Sequence, residues 1–263
     1  MGQPDADAKV LEFIPWRSVI LIERHTSDMQ IFSDLDSLSK AGADLFVKLS
    51  EQSIAERGVF HVALSGGSTP KRMFELLATD AYRESIDWSK VHAFWGDERF
   101  VSPTDEQSNE HMARNALLDQ IPIPPQNIHG MFQQGDVESA AQAYEVLIRK
   151  ELGDKLALDL TMLGIGPDGH TASLFPGEPA VHETERLVVA GLGHAGVAQR
   201  ITMTPPLINR SRCVLFLVAG ADKVAPMKRV LEGPENWEET PSQAVARHAP
   251  NVIWLVDQSA LPE

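Results

Sequence analysis

The chain has 263 residues, of which 43% are hydrophobic and 23% charged, with a formal net charge of -14. That length and balance suit one large globular unit with a sizeable core. The acidic total, with no basic run, excludes nucleic-acid binding by bulk electrostatics but not a small anionic ligand, which feels the local field of its site.

The first 27 residues form a segment with no assigned role, although "SVILIER" (18–24) has the composition of a strand. The polar, acidic opening "MGQPDADAKVLEF" has no apolar signal core. No apolar stretch approaches the ~20 residues of a spanning helix. The expectation is a cytoplasmic protein with no membrane partner. From residue 28 to 263 the chain reads as a single domain.

Residues 34–58, "DLDSLSKAGADLFVKLSEQSIAERG", read as a helix ended by Gly58. Leu35, Leu38, Ala41, Leu45, Val47, Leu49 and Ile54 form its expected apolar stripe. "VFHVALS" follows as a strand, "GGSTP" (66–70) as a turn, and "KRMFELLAT" as a helix whose first turn suits Pro70. Gly66 and Gly67 let the backbone turn sharply and approach a ligand. With the hydroxyls of Ser65, Ser68 and Thr69, the N–H groups of such a turn form a nest at a helix N-terminus, whose usual occupant is phosphate. A plain tight turn with a helix cap explains the same residues.

"VHAFWGD" reads as the next strand and runs into "FWGDERFV" (94–101). Asp97, Glu98 and Arg99 at a strand end form either a surface ion pair or a carboxylate and a guanidinium facing a polar substrate. "SNEHMARNALLDQ" and "DVESAAQAYEVLIRKELG" read as helices, with the proline-rich connection "IPIPPQNIHG" between them.

"LALDLTMLGIG" is a strand opening into "MLGIGPDGHTASLFPG" (162–177). Gly164, Gly166 and Gly169 permit close backbone approach. His170 stands two residues after Asp168, and a carboxylate beside an imidazole fixes its tautomer and raises its basicity. A histidine so placed, in a glycine loop at a strand end, reads as a general base. "RLVVAG", "RCVLFLVAG" and "NVIWLVD" complete the strands, with Cys213 as a buried core thiol; a single cysteine excludes an internal disulfide. Strands alternating with helices imply an α/β fold, a mostly parallel sheet with helices on both faces. Its functional loops lie at the carboxyl edge of the strands. "GxSxG" does not occur, which argues against a nucleophilic serine elbow.

"LSGGSTP", "WGDERFV" with "SNE" after it, and "GIGPDGHTASLFPG" together resemble the 6-phosphogluconolactonases of the pentose phosphate pathway. The three motifs stand in that family's order over about residues 28–257, and "QRITMT" and "GADK" also fit. The resemblance implies a Rossmann-like fold shared with glucosamine-6-phosphate isomerases, and neither cofactor nor metal. It implies that Ser65, Gly66, Gly67, Ser68 and Thr69 hold the 6-phosphate of a sugar phosphate lactone. Arg200 and Lys223 would supply countercharge from strand-end positions elsewhere on the sheet, and Arg99 would bind phosphate or a sugar oxygen. His170 would activate water, Asp168 would orient it, and Asp97 would hydrogen-bond a hydroxyl. Pro226 departs from the pattern and requires a helix to begin close after Lys223. The related isomerases carry a glutamate five residues after the histidine, where this chain has Phe175. A hexosamine-phosphate isomerase and a non-catalytic sugar-phosphate sensor are the alternatives.

Overall fold

The computed structural model describes residues 26–193 and 198–261. "SVILIER" lies outside them. The chain runs β1 (Thr26–Phe32), α1 (Leu35–Arg57), β2 (Phe60–Leu64), α2 (Ser68–Leu77), α3 (Asp80–Arg83), β3 (Val91–Trp95), β4 (Asp97–Arg99) and α4 (Asn109–Ala116). It continues with α5 (Val137–Leu152), β5 (Leu160–Leu163), β6 (Val188–Leu192), β7 (Gln199–Met203) and α6 (Pro205–Ile208). β8 (Val214–Val218), α7 (Val224–Glu232), α8 (Gln243–Ala246) and β9 (Asn251–Asp257) end it.

Six strands form one parallel sheet in the order β1-β9-β8-β5-β2-β3. All five residues of β8 and all four of β5 are buried, which requires layers on both faces of the sheet. Phe216 and Trp254 stack across β8 and β9 at 4.2 Å between ring centroids. β1 and β3 are the edge strands, and half of Ile31 on β1 faces solvent. The order changes direction between β5 and β2, which opens a crevice at their carboxyl ends. Among the described residues no helix is long and apolar enough to cross a membrane.

A second, antiparallel sheet, β4-β7-β6, stands apart from the first. This corrects the expectation that "RLVVAG" extends the parallel sheet and that Arg200 lies at one of its strand ends. The α1 stripe also differs. Its buried face is Leu38, Ser39, Gly42, Ala43, Phe46, Ser50 and Ser53, mostly small residues that let the helix lie close. A Cβ on Gly42 would press on the Met73 sulfur at 2.8 Å. Of the seven expected positions, only Leu38 is fully covered. Gly58 ends α1 in the left-handed region, φ 78°. Cys213 is buried, and burial pushes its thiol up to about 11. α7 starts at Val224, directly after Lys223, which places Pro226 in its first turn.

Candidate active site

Parallel neighbours end at the same edge. Val62 pairs with Leu160, Leu64 with Trp95, and Leu163 with Phe216. The loops after β2, β3, β5 and β8 therefore emerge side by side, and they carry the residues singled out above except Arg200, which lies in β7.

The loop after β5 is built around one histidine. His170 Nδ1 lies 2.5 Å from Asp168 Oδ1, and the same carboxylate oxygen accepts the His170 backbone N–H at 3.1 Å. Burial alone would raise the Asp168 carboxyl, but the hydrogen bond and charge of His170 outweigh it and hold it down at about 2. The Asp168 side chain is therefore an anion at neutral pH. It accepts the Nδ1 proton, which turns Nε2 outward as the basic nitrogen. A Cβ on Gly166 would collide with the His170 ring, so that position has to be bare. The Phe175 ring, 7% exposed, packs on His170 with centroids 4.4 Å apart. From outside, Ser242 N–H donates to the Gly169 carbonyl and Arg229 to the Pro167 carbonyl.

Ser173 joins this loop to the second sheet. Its hydroxyl donates to Asp97 Oδ2 at 2.6 Å, and its backbone N–H donates to Thr202 Oγ1 at 3.2 Å. In the β4–β7 ladder Asp97 faces Thr202 and Arg99 faces Arg200. Side chains two apart on a strand share a face. Asp97, Arg99, Arg200 and Thr202 therefore share the face on which the His170 loop docks. Arg99 donates to the Gln107 carbonyl at 2.6 Å. Arg200 is buried, and burial, then the Arg99 charge, pushes its guanidinium below the ordinary value against Asp97 and Glu98.

Glu98 points the other way and is structural. Its carboxylate, 3% exposed, accepts from the N–H groups of Arg99, Asn109 and Glu110 and from the Ser108 hydroxyl. Burial still raises its carboxyl above the ordinary value. It clamps the start of α4 and so positions Asn109. The Asn109 amide donates to the Asp97 carbonyl at 2.9 Å and fills the space a Cβ on Gly66 would need. The bare backbone at Gly66 thus admits a side chain of this same protein.

Gly67, Ser68 and Thr69 open α2, which no side chain caps. Ser65 is half-buried beneath them. Pro70, at the third position, has no N–H to satisfy. Lys223 stands at the start of α7, five residues past β8 and not at a strand end. Among the described residues its ammonium pairs with Asp222, at 2.7 Å. Asn109, Ser173 and Thr202 carry the connections between loops. The signals for them, "SNE", "HTASLF" and "QRITMT", are in the sequence, but their contacts are not.

The family model described as glucosamine-6-phosphate isomerases/6-phosphogluconolactonase matches residues 33–254. A 6-phosphogluconolactonase from Synechocystis sp. is 44% identical over 214 residues, 80% of this chain and 86% of that one. A 6-phosphogluconolactonase from Nostoc sp. is 37% identical over 237 residues, 88% of this chain and 96% of that one. The solved structure of 6-phosphogluconolactonase from Trypanosoma cruzi superposes with a TM-score of 0.78 at 27% identity, covering 89% of this chain and 96% of that one.

Proposed function

We propose, from the premise that the chain belongs to the glucosamine-6-phosphate isomerase/6-phosphogluconolactonase family, that it hydrolyses 6-phospho-D-glucono-1,5-lactone to 6-phospho-D-gluconate. This is the lactone-opening step of the oxidative pentose phosphate pathway, carried out by one catalytic unit over residues 28–263. The observation that carries the reading is the Asp168–His170 pair at 2.5 Å, in a glycine loop at the crevice between β5 and β2.

A lactone carbonyl is already electrophilic, so water and a base suffice. His170 Nε2 takes a proton from water as the oxygen attacks C1. The imidazolium so formed is stabilised by Asp168. When the tetrahedral intermediate collapses, the C1–O5 bond breaks and His170 returns the proton to the ring oxygen. The 6-phosphate is held by Arg200, Arg99 and Lys223 with the N–H groups and hydroxyls of residues 65–69, and Asp97 meets a sugar hydroxyl. The deaminating reading of the same fold is disfavoured because Phe175, an apolar ring, packs on His170.

The experiment is hydrolysis of 6-phosphogluconolactone, corrected for spontaneous opening, with glucosamine 6-phosphate in parallel. Catalysed opening is expected. Its absence in a folded protein overturns the reading.

A further inference from the structure

At the other end of β3, three donors that the lactonase chemistry does not use converge. We propose that His92, His129 and Glu151 form a binding site for a divalent transition metal of the Zn2+ class, which clamps the fold. One atom from each, a ring nitrogen or a carboxylate oxygen, lies within 4.8 Å of the others. His92 Nδ1 is 3.1 Å from His129 Nε2 and 3.8 Å from Glu151 Oε2. Neighbouring ligand atoms around tetrahedral zinc are about 3.3 Å apart, given bonds of ~2.0–2.1 Å. The two distances bracket that spacing, so small side-chain rotations admit the ion.

The donors come from three elements: β3, the segment before Gly130, and the end of α5. Their backbones are fixed independently of any ion. His129 N–H donates to the Ala93 carbonyl, and the His129 carbonyl accepts from the buried Tyr144 hydroxyl. Phe94 stacks on the His129 ring at 4.4 Å, and His61 packs edge-on against His92 at 5.3 Å. Glu151 gives its other oxygen to Lys150, which leaves Oε2 for the histidines. Two imidazoles and one carboxylate select zinc-like ions over Mg2+ or Ca2+, which take oxygen ligands. The His92 and Glu151 side chains are 22% and 18% exposed, so water can complete a fourth position. In the metal-free protein the two ring nitrogens share one proton. Metal takes both lone pairs, and that proton moves to the other nitrogen of its ring.

Asp97 lies five steps along the chain from His92, roughly 16 Å at ~3.3 Å each for extended backbone. The ion would bind far from His170 and tie β3 to the end of α5. Binding to the folded state alone raises stability.

The test uses the tag-free, chelator-stripped chain. Zn2+ affinity and stoichiometry are measured by competition with a chromophoric chelator, and Co2+ is added as a visible-absorbing probe of four-coordination. The expected result is one Zn2+ per chain, the intense Co2+ bands of a four-coordinate site, and a higher melting temperature with unchanged lactone turnover. His129→Gln and Glu151→Gln should each weaken binding at least about tenfold, and His170→Ala should leave it intact. Glu151→Gln keeps volume at a partly exposed helix end, so it tests the site even where His129→Gln disturbs packing. A wild-type chain that takes up no Zn2+ at micromolar free metal, or one whose uptake survives Glu151→Gln and is lost in His170→Ala, overturns the proposal. Neither outcome depends on lactone turnover.

Discussion

Arg99 and Arg200 sit directly opposite one another in the β4–β7 ladder. Like charges across a strand pair are destabilising, and their cost is offset when an anion lies between them. A charge-assisted bond to phosphate is worth ~1.5–3 kcal/mol. Replacing Arg200 or Lys223 by Ala should therefore raise KM for the phosphorylated lactone by ~10- to 150-fold. The slow reaction with unphosphorylated gluconolactone should barely change. Equal losses on both substrates would assign these residues to the fold instead.

Among the described residues, His170 is the imidazole paired with a carboxylate at the crevice. Removing a general base costs ~10² to 10⁴ in rate. His170→Ala should lose turnover on that scale and retain substrate binding, measured by calorimetry with the product 6-phosphogluconate. Near wild-type turnover in the folded variant would falsify the assignment.

Phe175 covers one side of His170. Truncating a buried phenylalanine costs ~3–5 kcal/mol. Phe175→Ala should lower the melting temperature and turnover together, and Phe175→Leu should recover most of both. Neither the wild type nor the variants should release ammonia from glucosamine 6-phosphate. Robust deamination by the wild type would overturn the argument.

The Asp168 carboxyl is held at about 2 by His170, below the ordinary ~3.9 of an aspartate in an unfolded chain. Between those values the unfolded state binds more protons, so stability falls as pH falls. The contribution is fully present above pH ~4 and is lost on the way down to ~2. The gap in melting temperature between wild type and Asp168→Asn should therefore narrow as pH falls through that acid window. A gap that does not change between pH ~4 and ~2 would place the titration on another group.

Gly66→Ala sets a methyl group against the Asn109 carboxamide. Overpacking of this kind costs ~1–3 kcal/mol. Chemical denaturation should show that loss in the wild-type background and a much smaller one on top of Asn109→Ala. Equal losses in both backgrounds would mean that the backbone at residue 66, not Asn109, demands glycine.

The strand-to-loop turns were legible because glycine, proline and hydroxyl residues punctuate long apolar runs at "LSGGSTP" and "GIGPDGHTASLF". The parallel sheet followed from the same alternation. The buried face of α1 was not legible, because small side chains cover it and hydrophobicity marks only large ones. The second sheet was missed because β4 has three residues and pairs with a strand a hundred positions away. The links Ser173–Asp97 and Asn109–Gly66 are contacts between polar or bare positions, and no periodicity encodes them. His92, His129 and Glu151 meet only because β3 and α5 are neighbours in space.

The pairing of β1 with β9 has a kinetic consequence. Thr26 lies against Asn251 and Phe32 against Asp257, with the whole crevice between them in the chain. During synthesis β1 emerges before the other described strands, and β9, its partner, leaves the ribosome after them. Closing so long a loop is slow relative to local contacts. The β1–β9 edge should therefore be the last to become protected in a refolding experiment, after the β2–β5 crevice has formed.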